Sequence, residues 1–220
     1  MPDDPFAEAR NRMVDSQIRP NRVTDPRITG AMRRLPRERF LPAGLASLAY
    51  ADQDVKLGNG RVLPQPMTIA RLVQLAAPVQ GERALVVAAG AGYGAALLAA
   101  CGARVTALEE DPALLATARH ALIGVAPEVS VVSGALSAGW PAGAPYDVIL
   151  IEGAVQAIPP ALAQQLRNNG GRLVAVVCGD GRTSQAVLAE ATGAGLRAQP
   201  MFDCATPLLP SLVPVPAFAF

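Results

Sequence analysis

The stretch ALVVAAGAGYGAALLAACGARVTALEED, residues 84–111, decides the fold class of this chain. Its first six residues form an uninterrupted apolar run with two valines in the middle. The run is too short for a helix and is typical of a strand buried on both faces. Gly90-Ala91-Gly92 then predicts a tight turn, residues 93–101 a helix of small residues, and residues 104–108 a second strand that leads into Glu109.

This strand, turn, helix and strand unit has a chemical consequence. It places backbone N–H groups at a helix N-terminus and a carboxylate at the end of the next strand, where the hydroxyls of a ribose would lie. We therefore predict a nucleoside site at Gly90, Gly92 and Glu109. The alternative is an ordinary parallel crossover with a glycine-rich turn, because paired glycines are common.

Composition narrows the class of protein. The chain has 220 residues and a mass of 22.7 kDa, which suits one compact domain over residues 1–220. Mean hydropathy is +0.28, raised mostly by alanine, and we find no apolar run near the ~18 residues that a membrane span needs. The polar N-terminus has no signal-peptide core, which favours the cytoplasm. A net charge of +1 argues against a nucleic-acid surface built on bulk charge.

Cysteine and histidine usage also excludes several chemistries. Cys101, Cys178 and Cys204 have no metal-ligand spacing, so we expect free thiols and no metal site. His120 is the single histidine, and it lies in a predicted helix beside an arginine. A solvated side chain is the simplest interpretation, and a catalytic triad or a histidine-rich metal site is excluded.

The remaining chain predicts an α/β fold with helices at the front. Residues 5–18 and 26–35 predict two helices, the second opened by Asp25 and Pro26. Around Pro36 lie the arginines at positions 33, 34, 37 and 39, which we interpret as a solvated face; the alternative is a docking site for an acidic group. Residues 41–65 are rich in glycine and proline and predict an irregular segment, and we expect residues 52–66 to form a mobile cover over the crevice. Helices over residues 67–77 and 112–123 follow, with strands near residues 129–132, 146–151 and 172–178, and Pro159-Pro160 predicts the start of another helix. Residues 186–191 and 196–202 predict an antiparallel hairpin that closes the sheet.

Several motifs resemble the protein-L-isoaspartate O-methyltransferases, a family of class I S-adenosylmethionine-dependent methyltransferases. They are MVDSQIRPNRVTDPRI, AMRRLPRERFLP, GNGRVLPQPMTIARLVQL, GAGYGAALLA, GWPAGAPYDVILI, IPPAL and QLRNNGGRLVAVV, in this order along nearly the whole chain. The resemblance implies a Rossmann-like, seven-stranded, mostly parallel sheet with a C-terminal antiparallel hairpin. Residues 1–65 would supply N-terminal helices and a substrate loop, and residues 66–220 the core.

The resemblance also implies an activity. Members transfer a methyl group from S-adenosyl-L-methionine to the carboxylate of isoaspartyl residues, which starts the repair of aged proteins and leaves S-adenosyl-L-homocysteine. A carboxylate is already a nucleophile, so alignment of the two reactants matters more than a strong base. The implied partners are isoaspartyl-containing proteins or peptides. We expect the protein to be a monomer or a weak dimer. Gly90, Gly92, Tyr93, Glu109 and Gly134 would contact the cofactor.

The chain departs from the family pattern at polar positions around the cofactor. Val86 stands where the family has an acidic residue, Ala88 where it has a glycine, and Ala135 where it has an aspartate. These changes predict weakened cofactor binding, and with it slow methylation. Glu152 stands where the family has a small hydroxyl residue, and it is either a compensating cofactor acid or a surface loop residue.

The substrate loop departs as well. Pro64 replaces the family serine, which leaves Gln65 and Thr68 as candidate catalytic residues. Two other functions therefore stay open. One is a weakened or inactive homologue that acts as a binding or scaffold protein, and the other is a carboxyl methyltransferase with another substrate.

Overall fold

The structure is a computed structural model that describes residues 4–179, 183–193 and 195–213. Its strands are β1 (Val55–Gly58), β2 (Arg61–Leu63), β3 (Arg83–Val87), β4 (Arg104–Glu109), β5 (Ser130–Ser133), β6 (Val148–Val155), β7 (Arg172–Val177), β8 (Gln185–Thr192) and β9 (Gly195–Asp203). Its α-helices are α1 (Ala7–Met13), α2 (Pro26–Arg34), α3 (Pro66–Ala76), α4 (Tyr93–Ala100), α5 (Pro112–Ile123) and α6 (Pro160–Ala163).

The main sheet has seven strands in the order β5-β4-β3-β6-β7-β8-β9. The strands from β5 to β7 are parallel, β8 is antiparallel to β7, and β9 is antiparallel to β8. This confirms the mostly parallel sheet with a C-terminal antiparallel hairpin. The chain order reverses beside β3, which lies between β4 and β6, and ligands of such sheets bind in the crevice at that reversal.

The central strands are as apolar as the sequence predicts. All eight residues of β6 are buried, and so are the last four of β3. Two helices also begin where the sequence places them, because an aspartate caps each one and a proline follows. The side chain of Asp25 accepts from the N–H of Arg27 at 2.8 Å, and that of Asp111 accepts from the N–H of Ala113 at 2.8 Å.

Three predicted segments differ in detail. The first helix is α-helical only over Ala7–Met13 and continues as a π-helix over Val14–Ile18. The segment predicted to be irregular contains a 3₁₀ helix, Ala43–Leu48, and a hairpin of β1 and β2. This hairpin forms a two-stranded sheet of its own, outside the main sheet, and its mobility stays a prediction. The helix expected after Pro159 is a single turn, Pro160–Ala163.

Candidate functional site

Glu109 lies at the centre of the crevice and has no exposed surface. It is the last residue of β4, and its carboxylate turns back toward the end of β3. The carboxylate accepts from the N–H groups of Gly90 at 2.7 Å, Glu110 at 2.9 Å and Asp111 at 3.0 Å. The structure therefore brings together Gly90 and Glu109, as the sequence predicts.

Arg61, in strand β2, binds the same carboxylate through its guanidinium group. Its Nη1 donates to Glu109 Oε1 and its Nη2 to Glu109 Oε2, both at 2.9 Å, and Nη2 also donates to the carbonyl of Ala88 at 2.6 Å. Arg61 is only 7% exposed, so the pair is shielded from water on both sides. Our sequence analysis did not single out Arg61.

The turn after β3 is tight and closely packed. Ala88 has a φ of 60° and Gly92 a φ of 97°, both in the left-handed region. A Cβ on Gly92 would lie 2.9 Å from Cδ1 of Leu122 in α5, so glycine is needed there for space as well as for conformation. Gly134 closes the far side, where its N–H donates to the carbonyl oxygen of Glu109 at 3.3 Å.

Glu152 lies inside β6, where the pairing with β7 shifts register between Leu150 and Ala154. Its side chain is buried, and in the described part of the chain its Oε1 has no hydrogen-bond partner. Burial raises the pKa of the Glu152 carboxyl to about 8, and the charge of Glu109 adds to this rise. The interpretation of Glu152 as a surface loop residue is therefore wrong, because β6 continues past Ile151 and carries the side chain inward.

Tyr93 and Arg37 form a buried pair next to the crevice. Tyr93 is the first residue of α4. The guanidinium carbon of Arg37 lies 4.6 Å from the centre of the Tyr93 ring. Arg37 Nε donates to the carbonyl of Ala49 at 2.7 Å, and Nη2 donates to the carbonyl of Pro64. Arg37 has no exposed surface, so the interpretation of its arginine group as a solvated face is wrong for this residue. It anchors the substrate loop instead.

The candidate catalytic residues lie at the start of α3. Thr68 is 4% exposed, and its hydroxyl donates to Gln65 Oε1 at 3.4 Å. The N–H of Gln65 donates to Asp54 Oδ1 at 2.6 Å, and its Nε2 donates to Asp52 Oδ1 at 2.6 Å. The structure brings Thr68 and Gln65 together, and their hydrogen bonds fix the loop that precedes α3 without reaching Glu109.

A small cavity of about 220 Å³ lies between the hairpin and the sheet edge, lined by Asn59, Arg61, Glu110, Asp111, Leu136, Leu209, Pro210 and Ser211. Pockets that bury a small-molecule ligand usually span ~300–1,000 Å³. The surrounding residues are of the kinds that a nucleoside with a cationic group needs, namely a strand-end carboxylate, backbone N–H groups at α4 and a buried carboxyl without a partner.

The described residues set two further bounds. They include no helix with the length and apolar character to cross a bilayer. His, Cys, Asp and Glu side chains within the same ranges form no group of three that could hold a metal ion. The three cysteines are free thiols, two of them buried.

Comparison with known proteins gives one consistent family and a matching fold. A family profile described as protein-L-isoaspartate(D-aspartate) O-methyltransferase matches residues 8–199. Proteins named protein-L-isoaspartate O-methyltransferase are 44% identical in Methylorubrum populi, over 76% of this chain and 78% of the relative, and 40% identical in Methanoregula boonei, over 80% and 81%. A solved structure of that name superposes with a TM-score of 0.78 at 23% identity, over 94% of this chain and 67% of the other. A Plasmodium falciparum protein in complex with S-adenosyl-L-homocysteine gives 0.75 at 16% identity, over 92% and 98%.

Proposed function

Because this chain belongs to the protein-L-isoaspartate O-methyltransferase family, we propose that it methylates the side-chain carboxylate of isoaspartyl residues with S-adenosyl-L-methionine. The observation that carries the proposal is the family match across residues 8–199. The strand, turn and helix unit supports it, because its buried carboxylate, Glu109, lies at the reversal of strand order.

The reaction needs little acid–base chemistry from the protein. The cofactor supplies an electrophilic methyl group on a sulfonium, and an ionised isoaspartyl carboxylate forms a new O–CH₃ bond as the S–CH₃ bond breaks. The protein must hold both partners in line and keep water out, which is catalysis by proximity. The one histidine of the chain, His120, is exposed, and this reaction does not require a histidine as a base.

We assign the cofactor to the crevice around Glu109. Backbone N–H groups at the turn from Gly90 to Gly92 would lie against it, with Tyr93 and Gly134 at its sides, and Glu109 would accept from ribose hydroxyls. Glu152 would take over the role of the acidic residue that Val86 replaces. Its buried Oε1 without a partner supports this role, since buried oxygens in proteins are normally hydrogen-bonded.

We assign the isoaspartyl group to the loop before α3. Thr68 and Gln65 offer polar side chains beside Pro64, and Arg37 fixes the loop through the carbonyl of Pro64. The partners are isoaspartyl-containing proteins or peptides. We further propose a cytoplasmic monomer or weak dimer that binds no nucleic acid, on the basis of composition and the net charge of +1.

The test is a methyl-transfer assay with radiolabelled S-adenosyl-L-methionine and two peptides of one sequence, one with isoaspartate and one with aspartate. We expect label in the isoaspartyl peptide alone, at a rate that rises with cofactor concentration into the high micromolar range. Equal labelling of both peptides would favour another carboxyl substrate. Cofactor binding without labelling of either would favour the scaffold protein.

A further inference from the structure

We propose that Arg61 is a built-in competitor of the cofactor, and that the hairpin of β1 and β2 must withdraw before ribose can bind Glu109. This inference rests on the proposed function for the identity of the ligand. The contact between Arg61 and Glu109 is a property of the chain itself.

Glu109 has no acceptor capacity left in this structure. Its Oε1 accepts from Arg61 Nη1 and from the N–H groups of Glu110 and Asp111, and its Oε2 accepts from Arg61 Nη2 and the N–H of Gly90. A carboxylate has about four lone-pair sites, and five donors already point at this one. Ribose hydroxyls can bind it only by replacing donors. The three backbone N–H groups are fixed by the strand ends, so Arg61 is the donor that must leave.

The size of the crevice leads to the same conclusion. The cavity that Arg61 lines together with Glu110 and Asp111, at the sheet edge, measures about 220 Å³. A pocket for a small ligand usually needs ~300 Å³ or more. Arg61 itself lines this cavity, so withdrawal of its side chain would both free the carboxylate and enlarge the space.

The hairpin is attached in a way that permits withdrawal. It forms a two-stranded sheet whose strands do not pair with those of the main sheet. Among the described residues, its tip is held by one side-chain hydrogen bond, from Asn59 Nδ2 to Asp111 Oδ2 at 2.7 Å. A Cβ on Gly60 would lie 3.2 Å from Pro210, so the tip also rests on the C-terminal segment. Opening of the tip requires the loss of the Arg61 hydrogen bonds to Glu109 and Ala88, of the Asn59 hydrogen bond, and of the packing of the tip on Pro210. Val55 and Leu63 are buried at the base of the hairpin, so the base can stay in place while the tip moves and the main sheet stays intact.

The closed state lowers the apparent affinity for the cofactor. A ligand that binds only the open state is weakened by the fraction of molecules that are open. The Arg61–Glu109 contact is charge-assisted and bidentate, a strong kind of hydrogen-bonded pair, and opening must break it. The arginine therefore weakens cofactor binding in addition to the acidic residues missing at Val86 and Ala135.

The experiment is calorimetric titration of S-adenosyl-L-homocysteine into three variants and the parent chain. Arg61→Gln keeps a polar side chain beside Glu109 but removes the charge and the paired donors, and we expect about tenfold tighter binding or more. Lys56→Gln is the matched control, since it removes one positive charge from an exposed position on the same hairpin, and its affinity should equal that of the parent. Asn59→Asp keeps the shape of the side chain and sets a second carboxylate against Asp111, so it should also tighten binding, by severalfold.

The outcomes separate this inference from the proposed function. Unchanged or weaker binding by Arg61→Gln, with the variant folded by circular dichroism, overturns the inference. If Arg61→Gln does not fold, Asn59→Asp decides, and unchanged affinity there overturns the inference too. Tighter binding in both variants without labelling of an isoaspartyl peptide supports the competitor and contradicts the proposed function. Methylation of the isoaspartyl peptide, with equal cofactor affinities in all variants, supports the proposed function and overturns the inference about Arg61.

Discussion

The α-carbon of Gly94 lies against the carboxyl group of Glu152. A Cβ built on Gly94 would overlap with Oε1, would lie 2.7 Å from Cδ of Glu152, and would approach Cδ1 of Ile69 to 3.1 Å. Glycine at the second position of α4 is thus the condition for a carboxyl group in β6 to turn inward. The two residues form one structural unit, although 58 positions separate them along the chain.

This contact predicts a strong coupling between the two positions. We expect Gly94→Ala to destabilise the protein by about 1–3 kcal/mol, because a buried side chain must shift to admit the methyl group. In a Glu152→Ala background the same change should cost little, so a double-mutant cycle should give a coupling energy of about 1 kcal/mol or more. Urea unfolding of the four proteins measures it. Gly44→Ala is the control, since a Cβ there meets nothing within 4 Å. Additive effects would show that Glu152 does not occupy the space beside Gly94.

Glu152 also predicts a pH dependence of stability. Burial raises the pKa of its carboxyl to about 8, above the ordinary value of 4.5. The folded state therefore holds a proton that the unfolded state releases between these values. Its contribution to stability is fully present below pH 4.5 and is lost as pH rises through about 8, with a slope of at most about 1.4 kcal/mol per pH unit.

Glu152→Gln should remove this slope, because an amide does not titrate in that range. The measurement is the free energy of unfolding at steps between pH 5.5 and pH 8.5, with the parent chain alongside. Parallel curves for the parent and the variant would mean that Glu152 is ionised in the folded protein. The carboxyl would then have found a partner, and its assignment as a free cofactor acid would lose its support.

Periodicity and capping carry most of the fold prediction. The buried run of β3, the cap at Asp25 and the C-terminal hairpin all follow from local patterns, and the structure confirms them. One local signal was available and was missed. Asn59-Gly60 has positive φ at both residues, 49° and 72°, and an Asn-Gly pair is a strong indicator of a two-residue hairpin turn. The glycines and prolines of residues 41–65 instead predict an irregular segment without strands.

Long-range pairings could not be predicted from the sequence. Arg61 is one of 19 lysines and arginines and Glu109 one of 18 acidic residues, and 48 positions separate the two. Nothing local marks either side chain for the other. The burial of Glu152 depends on a register shift in β6 and on a glycine in another element, and Arg37 is buried by a loop that carries no periodicity. The burial of such side chains can be recognised only after the helices, strands and loops that enclose them have been positioned in three dimensions.

The strained turn predicts that two neighbouring alanines respond differently to replacement by glycine. Ala88 has a φ of 60°, a conformation that costs a residue with a side chain about 1–2 kcal/mol relative to glycine. Ala88→Gly should remove that strain but lose about 0.5–1 kcal/mol in chain entropy and about 0.8 kcal/mol for the buried methyl group, so its net effect should be near zero. Ala89→Gly is the matched control, because Ala89 is as buried as Ala88 but has a negative φ, and it should destabilise by about 1–2 kcal/mol. Thermal unfolding of both variants measures the difference, and equal losses of stability would contradict the strain at Ala88.

Removal of Glu109 and removal of Arg61 should have different effects on cofactor binding. Removal of either residue breaks the same buried ion pair, so both changes should lower stability, by about 3–5 kcal/mol where the partner stays charged and buried. Their effects on cofactor binding should have opposite signs. Glu109→Ala removes the acceptor for ribose, and we expect S-adenosyl-L-homocysteine to bind about 10- to 100-fold more weakly, on the scale of a lost charge-assisted hydrogen bond. Glu128→Ala, which removes an exposed negative charge, should leave affinity unchanged. Calorimetry at one fixed salt concentration measures the affinity of the parent chain, of Glu109→Ala and of Glu128→Ala. An affinity that survives Glu109→Ala would contradict the assignment of ribose to this carboxylate.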